Sequence, residues 1–78
     1  MGHAGPSTEL QREQLSSWLA AAIADLAEPY RSLVILRDVQ QHSYAAVGQS
    51  LDLSASQVKV YLHRARKELR ERLAEYRE

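Results

Sequence analysis

The chain has 78 residues, ten basic and ten acidic side chains, and no cysteine. That length supports one small domain burying about 60% of its unfolded surface; disulfides and thiolate zinc sites are excluded, and no apolar run has the length of a membrane span or a signal-peptide core, so a cytoplasmic chain is expected. The zero net charge hides a polarity, since residues 1–53 carry three Arg against six acids whereas 54–78 carry seven cations against four acids; phosphate attraction acts locally, on the scale of a Debye length of about 10 Å, so such a split suits a domain with one nucleic-acid face.

Met1 to Ser7, with two Gly, a Pro and a His, reads as a flexible tail or an expression remnant, and residues 8–78 as the folded unit. There is no strand-like alternation, and four helical stretches predict an all-α, four-helix domain. The first helix is expected over about 8–26: Thr8 and Gln11 resemble a capping box, and Leu15, Trp18, Leu19, Ala22, Ile23 and Leu26 form its apolar stripe. Trp18 is the largest core candidate. A second helix over about 29–39 starts at Pro29, where a first turn tolerates it, and carries Tyr30, Leu33, Val34 and Leu36 inward.

After Gln40, Gln41 and His42, a third helix over about 43–51 opens on Ser43, an acceptor for free N–H groups, and places Tyr44, Val47, Gly48 and Leu51 on one face. A mid-helix Gly costs about 1 kcal/mol against Ala, so a close approach of two helices is expected at Gly48. Asp52 tolerates the left-handed conformation that ends a helix, and Leu53 returns to the core before Ser54 or Ser56 caps a fourth helix over about 54–76. In that helix Val58, Leu62, Ala65 and Leu69 make the inward stripe. Two helices joined by so short a turn form a helix-turn-helix candidate.

At 100° per residue, the direction opposite the inward stripe belongs to Ser56, Val60, His63, Arg64 and Lys67, with Gln57 and Lys59 on the flanks. On the second helix of a helix-turn-helix this is the face that enters a major groove. Lys59 and Arg64 suit guanine edges or phosphates, and Val60, wasted in water, suits a thymine methyl. His3, His42 and His63 share no metal-ligand spacing. Trp18 and Tyr30 sit at core spacing rather than as a base-stacking platform, and Asp25, Glu28 and Asp38 have no nucleophile or base around them, so no enzyme, cofactor or small-molecule substrate is expected. The second half of the fourth helix, Glu68 to Arg77, reads mainly as a solvated surface; Arg66, Arg70 and Arg72 lie beside the inward stripe, where pairing with acids of the first two helices or contact with phosphate both remain open.

The stretches Leu33-Val-Ile-Leu-Arg-Asp38, Ser43-Tyr44, Leu51-Asp-Leu-Ser54 and Val58-Lys-Val-Tyr-Leu-His-Arg-Ala-Arg66 resemble region 4 of bacterial sigma factors of the extracytoplasmic-function (ECF) group. The resemblance is close over helices two to four and looser over the first. It implies a four-helix domain that binds the minus-35 promoter element as double-stranded DNA, contacts the flap of the RNA polymerase core and is masked by an anti-sigma factor. By position, Lys59, Val60, His63 and Arg64 fall where the family's recognition helix meets bases and nearby phosphates, and Ser43 and Tyr44 where the backbone is contacted. The chain departs from the pattern at Ser56, Gln57, Val60 and Tyr61, where the family more often has Gly, Thr, a small polar residue and Arg. These changes leave the fold alone and bear on which bases are read. Regions for promoter melting and polymerase clamping are not part of the resemblance, so an isolated domain or a shortened relative is expected. Two other readings stand beside promoter binding: a protein-interaction module held by an anti-sigma factor, and a response-regulator helix-turn-helix, against which the run from Leu62 to Leu69 argues.

Overall fold

The computed structural model describes residues 16–76, and among them every regular element is helical. A helix over 16–24 (α1) leads into a tight turn, in which the Leu26 N–H donates to the Ile23 carbonyl at 3.1 Å. The expected capping box at Thr8 and Gln11, with Leu15, lies outside the described residues. Next come α2 (Tyr30–Val34), a π-helical segment (Ile35–Val39), α3 (Tyr44–Leu51) and α4 (Ala55–Tyr76). The all-α helix-turn-helix architecture and the expected bounds of the last two helices are thereby borne out. None of the described helices is long and apolar enough to cross a membrane.

The start of α2 rests on an exposed residue, Glu28. Glu28 accepts from the Ser32 N–H at 3.1 Å and from Arg31 Nε at 3.0 Å, meeting a donor that the helix start leaves without an internal partner. These hydrogen bonds, from Ser32 first and then Arg31, hold the Glu28 carboxyl below its ordinary range. Pro29 is the N-cap residue.

Helix two does not run to Val39 as a single α-helix. From Ile35 it widens, the Gln40 N–H donating to the Ile35 carbonyl at 2.9 Å and the His42 N–H to the Leu36 carbonyl at 3.0 Å. The widened turn keeps Ile35 and Leu36 packed against the core.

The core joins Ile23 and Leu26 from α1 and its turn, Leu33 and Val34 from α2, Val47 from α3, and Val58, Leu62 and Ala65 from α4. Trp18 is not its centre: it stays 36% exposed and Leu19 37%. Trp18 lies roughly 90° off the middle of the Ala22, Ile23 and Leu26 face, and Leu19, though on that face, sits one turn earlier along the axis. Periodicity gives a residue's direction, not how far along the helix its neighbours reach.

Candidate nucleic-acid interface

Three local devices fix how α4 stands on α3. Ser43, extended at φ −67° and ψ 159°, starts α3 by accepting from the Ala46 N–H at 3.1 Å. Asp52 ends it in the left-handed conformation, φ 58° and ψ 48°, which an Asp side chain tolerates better than most. Ser54, rather than Ser56, begins α4 in a reciprocal capping box: its Oγ accepts from the Gln57 N–H at 3.1 Å and its own N–H donates to Gln57 Oε1 at 2.9 Å.

Gly48 serves a close approach, chiefly to the turn rather than to the facing helix. A Cβ there would lie 2.6 Å from the Leu53 carbonyl oxygen and 3.4 Å from Val58 Cγ2. The Leu53 N–H donates back to the Gly48 carbonyl at 2.8 Å, so turn and helix are clasped at a point where a side chain would part them.

Burial of Val58, Leu62 and Ala65 sets the rotation of α4 and turns the expected face outward. Ser56, Gln57, Lys59, His63, Arg64 and Lys67 are exposed, and Val60 is 47% exposed. They share one side of the first half of the helix. Gln57 is there too, with its side-chain oxygen committed to the cap. Lys67 pairs with Glu71 at 3.2 Å while both remain largely in water, a contact weak enough for another anion to replace. The Arg64 guanidinium lies 5.7 Å from the Tyr61 ring centroid.

A second basic locus gathers at the start of α3. Tyr44 is half-buried against the core, with the Arg37 guanidinium 4.8 Å from its ring centroid. Arg37 Nη1 donates to the His42 carbonyl at 2.8 Å. Arg66 reaches across from α4 to Asp38 in a two-point pair of 2.6 and 3.0 Å, and that hydrogen bond raises its pKa. Arg37, Asp38, Gln41 and Arg66 line a shallow polar recess near Ser43. Sequence reasoning names Ser43 and Tyr44 here but omits Arg37 and leaves Arg66 open; 28 positions separate Arg66 from its acid, so no local pattern announces the pair. Farther along, Arg72 pairs with Glu68 at 3.0 Å and approaches Asp25 at 4.0 Å. Of these arginines, Arg66 pairs with an acid of helix two, whereas Arg72 is held mainly by Glu68 of its own helix.

A model of the family described as Sigma-70, region 4 matches residues 16–69, the stretch from α1 to the middle of α4. The chain belongs to the sigma-70 region 4 family. Two relatives agree with this assignment in being sigma factors, and one of them carries the name of the ECF group expected from the sequence. RNA polymerase sigma factor YlaC of Bacillus subtilis (strain 168) is 36% identical over 73 residues, which cover 94% of this chain and 42% of that protein. ECF RNA polymerase sigma factor SigE of Mycolicibacterium smegmatis is 33% identical over 63 residues, covering 81% of this chain and 24% of that one. The chain spans less than half the length of either relative.

Proposed function

We propose that this domain reads the minus-35 element of promoters in transcription initiation, laying the first half of α4 in the major groove as part of an RNA polymerase holoenzyme in the cytoplasm. One observation carries the reading: in a sigma region 4 chain, the caps and buried stripe of α4 leave Lys59, Val60, His63, Arg64 and Lys67 together on an unobstructed face. Arg64 then faces base edges, where its planar fork suits guanine O6 and N7, and Val60 meets a thymine methyl. Lys59, Lys67 and Ser56 flank the groove. Ser43 and Tyr44, with Arg37 beside them, meet the phosphate backbone at the α3 end, which sets register without reading sequence.

Arg64→Ala tests the assignment. Affinity for a preferred duplex should fall about ten-fold or more, the cost of one lost base-reading pair, while affinity for random DNA falls much less. Equal affinities for wild type and variant on both duplexes would mean that the wrong face has been assigned. By family, contact with the polymerase flap and masking by an anti-sigma factor are part of the proposal. The exposure of Val60 also favours a second reading, in which a protein partner occupies this face. Tight protein binding with no promoter preference would select it.

A further inference from the structure

The cations of α4 are held in different ways. Arg66 and Arg72 are bound by carboxylates at two points, and Lys67 by one. Arg64 has no carboxylate within salt-bridge distance among the described residues; the acids one and two turns on are already taken, Glu68 by Arg72 and Glu71 by Lys67. Its neighbour is the face of Tyr61, three residues before it on the same side of the helix. Tyr61 is itself held. It is half-buried against the core, and its ring meets Tyr30 edge-on, 6.3 Å between centroids at 64°, a favoured arrangement for aromatic pairs. Tyr30 in turn is half-buried at the start of α2.

We propose that Tyr61 is a positioning residue for DNA recognition: its ring, braced by Tyr30, carries the Arg64 guanidinium and sets the direction in which it meets the groove. This rests on the promoter-reading function proposed above. A carboxylate would hold an arginine more firmly but would cancel its charge and occupy the in-plane N–H donors that base recognition needs. A ring face attracts the cation through its quadrupole and consumes none of those donors. The side chain therefore enters the groove partly ordered and fully charged, which lowers the ordering cost of binding. The contrast with Arg66, whose donors are spent on Asp38, marks Arg64 as an arginine prepared for sequence reading.

The test uses the whole 78-residue chain as wild type, Tyr61→Phe, Tyr61→Leu and Arg64→Ala. In the free protein, NMR should show the Arg64 δ-methylene and ε protons shifted upfield by the ring current, with the shift kept in Tyr61→Phe and lost in Tyr61→Leu. In titrations against the duplex that wild type enriches from a randomised pool, Tyr61→Leu should bind roughly two- to five-fold more weakly, the factor that an exposed cation–π contact is worth. Its salt slope should be unchanged, because no charge is lost, and Tyr61→Phe should match wild type. Loss of the hydroxyl does not matter here; loss of the ring does. Absence of the ring-current shift in wild type would overturn the proposal without relying on the folding of any variant. Wild-type binding by Tyr61→Leu alongside weakened binding by Arg64→Ala would also overturn it, while leaving the promoter-reading face intact. Wild-type binding by Arg64→Ala as well would overturn both together.

Discussion

At the scale of single residues, backbone geometry decides more than side-chain type. Replacing a helical Gly by Ala ordinarily gains about 1 kcal/mol, yet at Gly48 the added methyl would press within 2.6 Å of a backbone oxygen that cannot retreat without loosening the Leu53 to Gly48 hydrogen bond. Gly48→Ala should therefore lose about 1–3 kcal/mol in a urea unfolding curve, as overpacked sites do. Asp52, at φ 58°, should accept Gly with little change, whereas Asp52→Val should lose about 1–2 kcal/mol in the same assay through left-handed strain. Glu28 contributes with a sign that follows from its lowered pKa: the folded protein binds its proton less readily than the unfolded chain. Its stabilising effect is fully present above its ordinary value of 4.5 and is lost as pH falls through the lower folded value. Acid unfolding followed by circular dichroism should show this contribution in wild type and not in Glu28→Gln.

At the scale of elements, α4 is placed by its cap and its stripe together. Removing the cap hydroxyl with Ser54→Ala should cost about 1 kcal/mol in urea unfolding, with Ser56→Ala near neutral because the Ser54 hydroxyl is the one that accepts the Gln57 N–H. The parts of the fold that the sequence announces are those built from local chemistry: the Ser43 cap, the left-handed Asp52, the Val58, Leu62 and Ala65 stripe, and hence the outward face of α4. What it does not announce depends on neighbours in space. The stretch Ile35 to Val39 has ordinary helical periodicity, and its widening shows only in which carbonyls Gln40 and His42 find. Trp18 fits the apolar pattern but lies beyond the reach of the packed core, and the Asp38 to Arg66 pair bridges elements too distant in sequence for any pattern to link. Glu28 is exposed and also serves the start of α2.

At the scale of the whole molecule, the charge split becomes a spatial one. Cations of the C-terminal part line the exposed side of α4, while Asp25 and Asp38 from the N-terminal part lie against Arg72 and Arg66. A single module of this size buries roughly 600–1,000 Å² on DNA, so the isolated domain should bind weakly and gain its cellular affinity by tethering to polymerase. With Lys59, Lys67 and Arg37 as phosphate partners, log affinity should fall against log salt with a slope of about −3. The most direct measurement is a salt-dependent titration of the domain against a randomised duplex pool, with sequencing of what is retained. Enrichment of one short motif, lost on Arg64→Ala and weakened by salt with that slope, is the expected result. Retention of no DNA even at low salt, or retention that Arg64→Ala leaves unchanged, would contradict a promoter-reading face on α4.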